Sequence, residues 1–336
     1  MTQETLSLRY GANPNQVPAR LIFDANSPKI KMLNGAPGYI NILDALNGWQ
    51  LVHELRSALG LPAAASFKHV SPAGAAVAVP LSDVLRKASF LGDKDLSPLA
   101  TAYARARGAD RISSFGDFIA LSDTCDVSTA SLIAPEVSDG VIAPGYDADA
   151  LEILQKKRGG KYLVLQIDPS YVAPEREQRQ VFGVTLEQKH NDVVINRASL
   201  QPIVTEQKEL PEDAQRDLIV ALITLKYTQS NSVCYALDGQ TIGVGAGQQS
   251  RVHCTRLAGG KADLWWLRQH PQVLDLAFRE GANRAEKNNA IDGYLCDELT
   301  EPEEAFLQLN LVGNPQKLTR EEKAAWLKEL KGVSLG

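Results

Sequence analysis

The chain has 336 residues, of which 44% are hydrophobic and 22% charged, enough to bury the cores of two ordinary domains. A net charge of -5 excludes nucleic-acid binding through bulk electrostatics, so any anion must be held by local cations or backbone amides. No run approaches the roughly 20 apolar residues of a membrane span, and the N-terminus lacks the basic flank and apolar run of a secretory signal, so neither membrane nor export is expected.

Leu43, Leu46, Val52, Leu55 and Leu59 recur at helical spacing and predict an amphipathic helix over 41–60. A strand is expected at Ala63–Phe67 and another apolar run at Ala75–Val79, with Lys68 and His69 in the turn between them. Residues 98–107 read as a helix closed by Gly108. The basic run Ala104–Arg111 reads as a solvated helix face without chemistry. Ile112–Leu121 is strand-like but interrupted by Gly116, where a missing side chain admits a ligand or a second backbone. Val137–Pro144 reads as a buried strand with Asp139 at its mouth.

The stretch 150–210 is the most polar, and the domain boundary is expected within it: a first unit over 1–165, a connection over 166–205 and a second unit over 206–336. Pro211, Glu212 and Asp213 suit the first turn of a helix whose apolar stripe runs from Leu218 to Leu225. That helix delivers Lys226 into a polar turn ending at Asn231. Asp238-Gly239 between two apolar runs predicts a β-hairpin. The loop Gly243-Val-Gly-Ala-Gly247 then leads into a helix bearing Arg251, His253 and Arg256. It resembles an anion cradle, yet it is not a Walker loop, and Gln248 stands where the dinucleotide fingerprint needs glycine. The plainer alternative is a connection that needs glycines only for its shape. Residues 68–78 align with 226–236 without a gap, which suggests a duplicated α/β unit with lysine-bearing turns in equivalent positions.

Two constellations carry chemistry. At Lys68-His69, an imidazole exchanges protons near neutrality beside an ammonium that stabilises developing negative charge, a pair suited to acyl-type transfer without a metal. At Arg9-Tyr10, a guanidinium beside a phenol suits phosphate binding and stacking on a heterocycle. His53 reads as a surface or packing histidine of the first helix, His190, His253 and His270 have no acid or thiol at ligand spacing, and Trp265-Trp266 reads as core or interface. Cys125, Cys234, Cys254 and Cys296 are too scattered for a zinc site or a disulfide framework and read as small apolar residues in a reducing compartment, the cytoplasm.

The segments LRYGANPNQ (8–16), LNGAPGYINILDALNGWQLV (33–52), AAASFKHVSPAGAA (63–76), AYARARGADRISSFGDF (102–118), EVSDGVIAPGY (136–146), KYTQSNSVCYA (226–236) and GAGQQSRVHCTRLAG (245–259) closely resemble AICAR transformylase, the formyltransferase part of the bifunctional purine-biosynthesis enzyme. The resemblance implies an α/β fold of two duplicated cytidine-deaminase-like α/β/α units without the deaminase zinc site, whose His-x-Glu and Pro-Cys-x-x-Cys signature is not found here. It implies an intertwined homodimer with composite active sites that transfers a formyl group from 10-formyltetrahydrofolate to the 5-amino group of AICAR, giving FAICAR and tetrahydrofolate. Carried over by motif, His69 is the proton acceptor, Lys68 stabilises the tetrahedral oxyanion or assists departure of the folate nitrogen, and Asn231 of the partner subunit orients the substrate. Arg9, Tyr10, Gly116, Asp139 and Arg251 match nucleotide-binding positions, and Val252 and Asn289 fall near the folate site.

Two departures from the family pattern bear on these expectations. No IMP cyclohydrolase segment precedes Leu6, which leaves ring closure of FAICAR to another protein. The sequence also stops at Gly336, before an aromatic-rich segment that in the family supplies folate contacts, a phosphate-binding arginine and part of a monovalent-cation site. A non-catalytic AICAR-binding dimer that has lost the folate pocket is therefore the alternative. An ATP- and formate-dependent transferase lacks support from any ATP-cradling motif.

Overall fold

A computed structural model describes residues 4–24 and 27–336. Strands β1 (Glu4–Leu8) and β2 (Ala19–Phe23) form a separate antiparallel ribbon, followed by β3 (Ile30–Asn34) and helix α1 (Tyr39–Leu59). The hairpin β4 (Ala63–Lys68) and β5 (Ser71–Val77) leads through α2 (Asp83–Ala88) to α3 (Pro98–Gly108). Then come β6 (Asp117–Leu121), α4 (Val127–Ile133), β7 (Ser138–Ala143), α5 (Ala148–Gly160) and β8 (Leu163–Ile167). An exposed hairpin, β9 (Arg176–Val181) and β10 (Val184–Lys189), precedes α6 (Glu212–Lys226). The remainder is a second hairpin, β11 (Val233–Leu237) and β12 (Gln240–Gly245), then α7 (Arg251–Leu267), α8 (Pro271–Leu274), α9 (Arg284–Leu295), α10 (Glu301–Asn310), α11 (Arg320–Leu327) and the short edge strand β13 (Ser334–Leu335).

Nine strands make one mixed sheet in the order β13-β11-β12-β5-β4-β6-β7-β8-β3, covered by helices on both faces. Alternation along the strands explains the two cores. Ala63, Ala65 and Phe67 of β4, Phe118 and Ala120 of β6 and Ile142 of β7 bury against α1 and α6. Their neighbours Ala64, Ile119, Leu121, Val141 and Ala143 bury against α3, α4 and α5. Strands from both expected units thus share one sheet. The seam between them is the antiparallel contact of β5 with β12, which pairs Ala76 with Gln240. Around it, the Ala75 N–H donates to Thr241 Oγ1 (3.0 Å) and the Val77 N–H to the Gly239 carbonyl (2.8 Å).

The order helix, hairpin, helix occurs twice, as α1-β4-β5-α3 and α6-β11-β12-α7. In each copy the second hairpin strand carries a glycine under the following helix. A Cβ on Gly74 would lie 2.1 Å from the Ala106 carbonyl oxygen, and one on Gly243 would lie 2.2 Å from that of Ala258. The alignment of Lys68 with Lys226 is nevertheless out of register. Lys68 ends a strand, whereas Lys226 ends α6 and pairs with Glu54 of α1 (2.5 Å). Counterparts by position in the fold are α1 with α6 and the turn 69–70 with the turn 238–239.

Two further expectations are corrected. Ile112–Leu121 is a strand only from Asp117 onward; residues 111–116 form turns, and Gly116 has a φ of +75°. Ala104–Arg111 is not a solvated face, because Arg105, Arg107 and Arg111 are all buried and hold paired acids or carbonyls. Trp265 is core as expected, while Trp266 stacks on Trp326 (5.4 Å) with each indole N–H donating to the other's carbonyl.

The helix crossings over Gly74 and Gly243 leave no room for a methyl group, since the opposing atoms are backbone. Gly74→Ala is expected to destabilise the protein by about 1–3 kcal/mol. Gly260→Ala, in α7 with open space at its Cβ, is expected to stabilise it by about 0.5–1 kcal/mol. Denaturant unfolding of the two variants checks both signs.

Candidate active site

Lys68 and Ser71 close the first hairpin, leaving His69 and Val70 as a two-residue turn. Both have positive φ, 52° and 63°, as a type I′ turn demands. The His69 side chain stands exposed at the tip. The Lys68 ammonium donates to the Phe115 carbonyl, and a Cβ on Gly116 would lie 3.9 Å from its Nζ. Beneath the tip lies Asp44 of α1, whose carboxylate accepts the Val70 N–H (2.6 Å) and lies near the His69 N–H. Burial pushes the Asp44 pKa up to about 7, and Asp139 and Asp117 reinforce the rise against the lowering effect of the two amides.

Strand directions gather the other residues. β4 runs antiparallel to β6 and β6 parallel to β7, so the end of β4 meets the starts of β6 and β7. Asp139, second in β7, pairs with Arg158 (2.7 Å). Arg9 and Tyr10 follow β1 and sit at the start of α1. The Arg9 N–H donates to the Pro37 carbonyl and the Tyr39 N–H to that of Tyr10, both at 3.3 Å. Arg9 Nη2 reaches Asn41 Oδ1 (3.3 Å), and its guanidinium lies 5.9 Å from the centre of the Tyr10 ring.

Asn231 lies between α6 and β11, where its Nδ2 donates to the carbonyls of Gln248 (3.0 Å) and Gln249 (3.4 Å). Arg251 and Val252 open α7 with exposed side chains. The glycine-rich loop is not a free anion cradle. Its Gly247 N–H is taken by the Gln229 carbonyl (2.8 Å) and its Gln248 N–H by that of Asn231 (3.3 Å), while Gly243 and Gly245 serve the close approach of α7. A cleft of about 350 Å³ runs from Lys68, His69 and Pro72 to Ala246, Leu257 and Lys261. A second cavity, of about 460 Å³, lies on the other side of the 111–116 turn and is lined by Phe115, Val137, Arg284 and Asn289. Lys226 takes no part in either cavity; with His53 and His190 it lines a separate hollow beside the exposed segment 171–196.

Two groups of functional residues escape a local reading of the sequence. One is Asp44, whose signal is an acid on the apolar stripe of a helix. The other is a buried charge network. Arg107 pairs with Asp117 (2.8 Å) and Glu136 (3.1 Å), and Arg284 of α9 also reaches Glu136 (2.7 Å). Burial opposes ionisation of Glu136, but Arg107, Arg111 and Arg284 together hold its carboxyl below the usual range. Among the described residues, no cluster of three His, Cys, Asp or Glu side chains is placed to hold a metal ion. Among them too, no helix is long and apolar enough to cross a membrane.

The sequence model of the family described as AICARFT/IMPCHase bienzyme matches residues 1–261. The bifunctional purine biosynthesis protein PurH of Roseobacter denitrificans is 38% identical over 261 residues, which cover 76% of this chain and 45% of that protein. PurH of Cereibacter sphaeroides is 36% identical with the same coverage. The chain thus spans about half the length of these relatives, 45%. With the family match over most of its residues, it belongs to the AICARFT/IMPCHase family and corresponds to the AICAR transformylase part.

Proposed function

We propose that this chain transfers the formyl group of 10-formyltetrahydrofolate to the 5-amino group of AICAR, giving FAICAR and tetrahydrofolate in purine biosynthesis. The observation that carries this reading is the Lys68-His69 turn, which presents an imidazole and an ammonium to one cleft. The AICAR amine is a weak nucleophile because its lone pair is delocalised into the imidazole and carboxamide. His69 accepts its proton as the nitrogen attacks the formyl carbon. Lys68, with one N–H on the Phe115 carbonyl, keeps two for the oxyanion that forms. Collapse of this intermediate expels N10 of the folate with a proton. A positioned base contributes about 10²–10⁴-fold and an oxyanion donor roughly 10²–10³-fold.

Arg9, Tyr10, Gly116, Asp139 and Arg251 bind the nucleotide in this reading, Asp139 exchanging its present partner Arg158 for the ligand. The cavity lined by Asn289 adjoins the Phe115 turn and suits the folate, with Val252 contributing from α7. The repeated helix-hairpin-helix order supports a duplicated, deaminase-like architecture. A homodimer fits the β9–β10 ribbon, which is exposed throughout and tipped by a fully exposed Phe182; such a ribbon alone is marginally stable in water. In the dimer, Asn231 and Arg251 complete the partner's site, and the protein works in the cytoplasm.

Incubation of the purified chain with AICAR and 10-formyltetrahydrofolate is expected to yield FAICAR by chromatography. Binding of AICAR without turnover would instead favour a non-catalytic nucleotide-binding dimer. His69→Ala is expected to lower kcat by at least about 10²-fold with AICAR affinity within several-fold. For the shared site, Lys68→Ala and Asn231→Ala chains, each inactive, are expected to regain activity when mixed, because one site of the heterodimer holds both native residues. Background activity despite proven subunit exchange would refute sharing.

A further inference from the structure

The two hairpins of the sheet are built on one plan, and the contrast between them isolates a residue with no assigned task. Asp217 is the sixth residue of α6, and its carboxylate accepts the amides of the Asp238-Gly239 turn at 2.8 and 2.6 Å. Asp44 is the sixth residue of α1 and accepts the Val70 amide of the His69-Val70 turn (2.6 Å), with the His69 amide close by. In a two-residue hairpin turn the central N–H groups have no partner in the strand ladder, and a helix packed over them shields them from water. A carboxylate that accepts both satisfies two donors at once.

The two turns differ in what they ask of the backbone. Asp-Gly is a favoured pair for two successive positive φ angles. His69 and Val70 are not, and a β-branched residue at a φ of 63° is a steric outlier. The acids differ as well. Asp217 has Arg216 at 2.9 Å, whereas Asp44 has no ion-pair partner among the described residues and feels the negative charges of Asp139 and Asp117. Strain and an uncompensated buried carboxylate thus coincide at one point, under the exposed imidazole.

We infer that Asp44 is a positioning residue: by gripping the Val70 amide of the strained turn, it fixes the backbone from which His69 projects into the cleft. The inference rests on the transformylase reading for the value of His69, but not for the grip itself. Without that grip the turn relaxes toward ordinary negative φ, and the imidazole leaves its place in the cleft it shares with Lys68. A displacement of this kind acts on the reaction rather than on nucleotide binding, since Arg9, Tyr10 and Gly116 are carried by other segments.

Amide hydrogen exchange and steady-state kinetics on the full chain test both parts. In Asp44→Ala, the Val70 amide is expected to exchange at least about tenfold faster, while those of Asp238 and Gly239 keep their protection. The kcat is expected to fall at least about tenfold with KM for AICAR within threefold, and Val70→Gly in the same chain to recover several-fold, because glycine takes positive φ freely. Should Asp44→Ala fail to fold, Asp44→Asn keeps the shape and one acceptor, and its exchange and kcat should lie between wild type and the tenfold change. Unchanged exchange at Val70 in a folded variant overturns the grip; accelerated exchange with unchanged kcat overturns the positioning role. If the wild-type chain forms no FAICAR, the transformylase reading fails, and the exchange comparison still decides whether Asp44 holds the turn.

Discussion

Because β5 and β12 run antiparallel at the centre of one sheet, the start of the first and the end of the second emerge at the same edge. That edge carries the Lys68-His69 tip on one side and the end of β12 on the other, and Leu257 and Lys261 of α7 help to line the cleft between them. The seam is possible only where helices lie directly on strands, and Gly74 and Gly243 give α3 and α7 that proximity. Arg105 locks it from above, donating to Gln240 Oε1 (2.6 Å) and to the Val79 and Pro80 carbonyls (2.7 and 2.6 Å). Slippage at this seam by one residue would turn every apolar side chain of β12 to the wrong face.

A second constraint fixes the opposite wall. Arg107 pairs with Asp117, which also accepts from the Ser66 hydroxyl of β4 (2.6 Å), and with Glu136 just before β7. The same guanidinium donates to the Val137 carbonyl (3.1 Å), the acceptor that also takes the Gly116 N–H (2.9 Å). The turn that presents the Phe115 carbonyl to Lys68 is thereby tied to a buried ion network. Arg284 extends the network to α9 and so to the cavity with Asn289. Removing one member of such a network leaves a buried charge uncompensated, which costs far more than an exposed pair would.

Elements governed by local pattern were legible in the residues. Short buried runs gave β4 and β7 nearly to the residue, the Asp238-Gly239 pair announced its hairpin, and the stripe to Leu225 announced α6. What escaped depends on partners distant in sequence. The arginines of α3 look like a solvated face until Asp117, Glu136 and Gln240 fold over them. Ile112 and Phe115 are apolar yet partly exposed beside a cavity, so their hydrophobicity mimics a strand. A shared lysine aligns the two segments poorly, since surfaces tolerate lysine anywhere. What the two helix-hairpin-helix segments share is instead a glycine under a helix and an aspartate at the sixth helix position, both set by packing.

These contrasts accord with the proposal that, of these two hairpins, the first bears the chemistry. The turn at Asp238-Gly239 emerges at the far edge, where a Cβ on Gly239 would meet Val79 at 2.6 Å. A side chain has no space there, and the residue types that suit the backbone can be kept. The turn at His69-Val70 opens on a cleft, so the same backbone can carry an imidazole if something else holds its dihedrals. One scaffold therefore serves two ends: a relaxed turn that closes the core, and a strained turn whose geometry is held from beneath by Asp44.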